Sequence, residues 1–140
     1  MRKMSLLLLL SLLLSVNVSA ADLPGIVSNV VAQSTSSWDG KVLPDYTNGI
    51  PEVTILKITI PPGVLLPVHK HTVINAGVLL AGELTVVTDS GNRLHLKAGD
   101  GIVEVVNTWH YAKNEGDTAA VIVVFYAGIE GTRCTINKQE

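Results

Sequence analysis

Cysteine is nearly missing from this sequence, with Cys134 the single example in 140 residues. No internal disulfide can form, so the fold must rest on packing alone. Cys134 stands near a polar stretch, Asn137 to Glu140, and reads as an incidental thiol. Aromatics are scarce as well: two Trp, three Tyr and one Phe. The interior must be aliphatic, and the chain beyond its first twenty residues holds enough Val, Ile and Leu for one core. A basic surplus is absent too, since ten Lys and Arg face twelve Asp and Glu, for a net charge of −2. Phosphate binding draws on Lys and Arg, so nucleic acid is excluded as an expected partner. After residue 20 no amphipathic helical segment of useful length occurs, which leaves strands.

Residues 1–20 read as an export signal. Arg2 and Lys3 form a basic start, residues 6–14 an apolar stretch too short to span a bilayer, and Val18-Ser19-Ala20 a small-residue cleavage site. These twenty residues take two of the ten basic residues and none of the acidic ones. There is no twin-arginine pair, and no cysteine near the junction to carry a lipid. The expectation is a mature chain starting at Ala21, periplasmic or secreted, with no membrane association after cleavage.

Three further segments are expected. Residues 21–52 form an N-terminal arm, marked by Pro24-Gly25, Asp39-Gly40, Pro44 and Asn48-Gly49. Trp38 in that arm is expected to cover apolar surface, of the core or of a neighbouring subunit. Residues 53–128 alternate in short runs with turns between them, and residues 129–140 make a C-terminal tail. Within the middle segment, strands are expected at 53–60, 64–71, 72–80, 83–88, 93–97, 102–106, 109–113 and 118–127. Leu56, Ile58 and Ile60 share one face of the first, and Asp89-Ser90-Gly91-Asn92 is a hairpin turn. About eight short strands at even spacing predict an all-β sandwich or barrel.

The chemistry gathers between Gly63 and Gly82. Side chains two apart on a strand share a face, so His69 and His71 point the same way and Lys70 points away. If the sheet curls into a barrel, His110 can join them from another strand, and three neutral imidazoles make a strong site for a divalent metal. His95 shares its face with Arg93 and Lys97, whereas Leu94 and Leu96 take the other, so His95 is expected in solvent with no role.

Gly63, His69, His71, Asn75 and Gly82 keep the spacing of the first motif of the cupins, and Gly99, Val105, Asn107, His110 and Asn114 that of the second. The chain resembles that family from about residue 53 to 128. The resemblance implies a cupin-type double-stranded β-helix, a jelly-roll barrel, with one divalent transition metal ion (Zn, Ni, Cu, Fe or Mn) in its mouth. It places His69, His71 and His110 on ligand positions. It puts Asn75 where the family has a glutamate, and replaces the family's Pro and turn Gly by Val105 and Asn107. An amide oxygen is a weaker ligand than a carboxylate, so Asn75 is either a weak fourth ligand or a hydrogen-bonding neighbour of the centre. Asn107 and Asn114 are read as turn residues.

Glu104 is the one charge within residues 102–106, on the face of Ile102 and Val106. Outward it is a surface charge; inward it lies beside the metal and becomes the candidate catalytic carboxylate. Trp109, next to His110, either walls the pocket or packs in the core. Two classes of function follow from the resemblance. One is a metal-dependent enzyme on a small polar molecule, an oxygenase, isomerase or decarboxylase. The other is a non-catalytic module that binds or senses a small ligand or the metal. A homodimer is expected, since cupin barrels pair through their sheets.

Overall fold

The computed structural model describes residues 25–139, so residues 1–20, where an export signal is expected, lie outside the described residues. Among the described residues there is no helix. Nine strands form: β1 (Pro51–Ile60), β2 (His69–His71), β3 (Ile74–Ala81), β4 (Glu83–Thr88), β5 (Arg93–Lys97), β6 (Gly101–Val103), β7 (His110–Lys113), β8 (Ala120–Ile129) and β9 (Thr135–Asn137). They lie in two antiparallel sheets, one ordered β1-β8-β3-β6 and the other β5-β4-β7-β2-β9. The fold is the all-β double-sheet barrel expected.

Alternation explains the core. Inward positions of β8 (Ala120, Ile122, Val124, Tyr126), of β4 (Leu84, Val86) and of β3 (Leu79) are all buried, joined by Ile60, Leu96 and Ile102. Each such aliphatic side chain contributes roughly 1.5–3 kcal/mol by leaving water. Gly82 turns the chain from β3 into β4 at φ 70, where a Cβ would stand 2.5 Å from the Ala119 carbonyl oxygen. Only glycine fits both demands.

Four details differ from the sequence reading. The strand expected at 64–71 shortens to β2, because Pro67 has no N–H for a ladder; only an isolated bridge, Leu65 to Lys113, continues it. Leu56 stays 43% exposed, although Ile58 and Ile60 on the same face of β1 pack into the core. The strand expected at 102–106 ends at Val103. Residues 135–137, read as tail, form β9 and pair with β2, setting Thr135 opposite His71.

Candidate metal centre

Two strands of the five-stranded sheet bring the histidines together. His69 and His110 are direct partners across β2 and β7, which puts their side chains on one face as neighbours. His71, two residues on, shares that face. The ring centroids stand 4.4 Å apart for His69 and His110, 4.9 Å for His71 and His110, and 5.0 Å for His69 and His71. One ligand atom from each lies within 4.8 Å of the others.

The outer nitrogens determine which inner ones are free. His69 Nδ1 is 2.7 Å from the Pro67 carbonyl and His110 Nδ1 is 2.9 Å from the Thr108 carbonyl. A carbonyl only accepts, so both Nδ1 atoms carry the proton, and in the neutral rings both Nε2 atoms offer bare lone pairs. His71 Nδ1 lies 3.1 Å from Thr135 Oγ1. Such outer partners fix ring orientation, as metal-ligating histidines require. The rings stay neutral near pH 7. Burial pushes His71 down to about 3, helped by the neighbouring His110 and His69, and burial also lowers His69 and His110.

The facing sheet supplies the amide and the carboxyl. Asn75, on β3, is 1% exposed, and its Nδ2 donates to the Val73 carbonyl (3.3 Å) while Oδ1 is buried without a partner. Glu104 follows β6, and its N–H donates to the Asn75 carbonyl (3.0 Å). Glu104 is turned inward, 8% exposed, with Oε2 4.0 Å from His110 Nε2. Burial raises its carboxyl from 4.5 to about 7, against the smaller pull of the Val105 N–H, the nearby His69 and the Trp38 side chain.

These residues fit a metal. The interior polar atoms without partners among the described residues include His110 Nε2 and Asn75 Oδ1, both in the same cavity. A buried lone pair without a donor is costly unless something serves it, and a cation does so. The cavity is about 50 Å³, with aliphatic walls that include Ile58, Leu66, Val86 and Ile122. Tyr126 closes one side, its ring edge against His71 at 5.4 Å.

The remaining candidates fall outside this cavity. His95 is exposed on the outer face, bonded to Thr85 Oγ1 (3.0 Å). Trp109 does not wall the pocket; its ring faces outward under Lys70 Nζ (5.0 Å) and Lys138 Nζ (5.8 Å), because Trp109 and His110 point to opposite faces of the sheet. Asn107 takes φ 53, the left-handed turn conformation expected of it. Asn114 is fully buried, its Nδ2 donating to the carbonyls of Ile60 and Thr118 (2.9 and 2.7 Å). Sequence reasoning missed Thr135 and the Pro67 and Thr108 carbonyls. No local signal marks Thr135, which sits 64 residues from His71.

A family model described as cupin domain matches residues 56–126. Among solved structures, the fold is similar to an uncharacterized conserved protein with a double-stranded beta-helix domain from Klebsiella pneumoniae, at TM-score 0.54 and 21% identity, over 66% of this chain and 88% of that one. It is also similar to oxalate oxidase in complex with the substrate analogue glycolate, at TM-score 0.53 and 26% identity, over 61% of this chain and 46% of that one. The DMSP lyase DddQ from Ruegeria pomeroyi matches at TM-score 0.53 and 20% identity, over 61% of this chain and 43% of that one. The chain thus spans less than half of the oxidase and lyase chains. No curated protein matches the sequence.

Proposed function

We propose that this chain, which belongs to the cupin family, is an exported enzyme acting on a small polar molecule at a three-histidine metal centre, with Glu104 as general acid or base. The observation that carries this reading is the buried Glu104 carboxyl, 4.0 Å from His110 Nε2. A divalent metal held by His69, His71 and His110 would supply positive charge to bind and polarise substrate oxygens. The side chains supply the rest. Burial raises the Glu104 carboxyl to about 7 in the metal-free site; a bound cation would pull it back toward the ionised form, so that beside the metal it would serve first as the group that takes a proton. The Pro67 and Thr108 carbonyls and Thr135 keep the imidazoles aimed. The aliphatic walls exclude water.

The cavity of about 50 Å³ admits only a few substrate atoms. That size, and the likeness to an oxidase holding glycolate, support a small oxygen-bearing acid or alcohol undergoing oxygenation, isomerisation or decarboxylation. Asn75 is a weak fourth ligand through Oδ1, or orients the centre by hydrogen bonding. With no carboxylate at that position, intrinsic affinity favours Zn, Ni or Cu over Mn or Fe(II). The residue pattern of 1–20 supports export and cleavage after Ala20. A homodimer is supported by apolar residues exposed together on the outer face of the four-stranded sheet, Val53 (69%), Ile55 (59%) and Phe125 (47%), with Ile55 and Phe125 directly paired. Light scattering that gives a monomer mass at high concentration removes this assembly.

The test is metal analysis of protein purified from its native compartment, followed by a turnover screen with two- and three-carbon oxygenated acids, on wild type and Glu104→Gln. The expected outcome is bound metal in both and turnover reduced at least ~100-fold in the variant. Unchanged turnover in Glu104→Gln removes the acid–base role. Bound metal with no turnover in wild type favours a binding or sensing module, the reading that the amide at Asn75 supports.

A further inference from the structure

Part of the arm folds into a short hairpin, bridged from Ser36 to Val42, with Gly40 at φ 88 in its turn. This hairpin grips the segment between β6 and β7 on both sides of Glu104. Upstream, the Trp38 N–H donates to the Val103 carbonyl (2.9 Å). Downstream, Lys41 Nζ donates to Thr108 Oγ1 (3.1 Å). The barrel holds the same segment from its other side, through Glu104 N–H to the Asn75 carbonyl (3.0 Å) and Asn107 N–H to the His71 carbonyl (2.7 Å).

The Trp38 side chain packs against the core. Its indole Nε1 is buried and has no partner at ordinary hydrogen-bond distance. The nearby acceptor is the Glu104 carboxyl, which the indole N–H draws toward its ionised form. The carboxyl's own hydrogen bond is long: Oε2 accepts from the Val105 N–H at 3.3 Å. A buried donor without a partner is costly, and a small rotation of the carboxyl toward the indole removes that cost.

We infer that Trp38 is a positioning residue whose indole N–H orients the Glu104 carboxylate, so that the N-terminal arm completes the site. The inference rests on the proposed function for what Glu104 does, but the pairing itself requires neither metal nor turnover.

The experiment uses the ¹⁵N-labelled protein with no metal added. Its two tryptophans, Trp38 and Trp109, give two indole N–H resonances, assigned by Trp38→Phe. Glu104→Gln is expected to move the Trp38 resonance upfield and leave that of Trp109 in place, with Glu104→Asp producing a smaller shift. A Trp38 resonance unmoved in both variants overturns the pairing. Trp38→Phe keeps the ring and loses the N–H. It should unfold at nearly the wild-type temperature yet lose turnover as Glu104→Gln does. Full turnover in Trp38→Phe, beside a dead Glu104→Gln, overturns the positioning role and leaves the Glu104 reading intact. A moved resonance beside unchanged turnover in Glu104→Gln upholds the pairing and refutes catalysis by Glu104.

Discussion

The five-stranded sheet carries histidines on both faces, each with a carboxylate nearby, and the two settings are built on opposite terms. On the outer face His95 bonds Thr85 (3.0 Å) and lies 3.4 Å from Glu83. Glu115 there accepts from Thr85 (2.9 Å) and pairs with Arg93 (3.3 Å) and Lys113 (3.8 Å). Every charge has a partner and water besides. On the inner face His69, His71 and His110 direct their Nδ1 atoms to outer groups and leave His110 Nε2 and the facing Asn75 Oδ1 with none. A fold gains nothing from unpartnered polar atoms in a dry interior. The inner arrangement therefore has to be explained by what it holds, whereas the outer one needs no explanation beyond surface pairing.

Replacing one member of each cluster tests that contrast at its widest. His71→Ala should lower Zn²⁺ affinity more than ~100-fold, and His95→Ala should leave it unchanged, as read by titration calorimetry. Equal losses from the two would erase the distinction.

Acid sharpens it next. The folded value of His71, about 3, lies below its ordinary 6.5, so below pH 6.5 the unfolded chain takes a proton that the folded chain refuses. Stability of the metal-free protein should therefore fall from pH 6.5 toward 3, by at most about 1.4 kcal/mol per pH unit from this group. Glu104 works the other way. Raised from 4.5 to about 7, it contributes stability fully below 4.5 and loses it as pH rises through 7. The two oppose one another between pH 6.5 and 4.5, so Glu104→Gln should steepen the acid loss in that window, as followed by urea unfolding. Identical pH profiles for wild type and variant would mean that Glu104 is not held in a desolvated site.

The smallest effect concerns Asn75. Asn75→Glu should raise affinity for Mn²⁺ relative to Zn²⁺ by roughly tenfold, since a carboxylate suits the harder ion. If the ratio does not move, Asn75 lies beyond ligating reach.

The sequence made the barrel legible because period-two burial runs through β3 and most of β8, and the His69 and His71 spacing needed only that alternation. His110 could be joined to them because its offset matched a known motif. Glu104 could not be oriented. Its strand ends at Val103, and Glu104 and Val105 are both buried, at 8% and 0%, so alternation does not say which of the two enters the cavity. Trp109 lies outside the pocket because it immediately precedes a ligand, and alternation turns its ring to the outer face, under Lys70 and Lys138. Thr135 and β9 were invisible, since a polar three-residue strand declares itself only through its partner.

The contact between His71 and Thr135 also bears on timing. With a separation of 64 positions in sequence, no stretch of growing chain can finish the centre locally, because the loop must close before the hydroxyl arrives. Until Thr135 has been synthesised and β9 has docked, the His71 ring lacks its hydroxyl partner. The histidine cluster is therefore complete only once β9 has joined the five-stranded sheet.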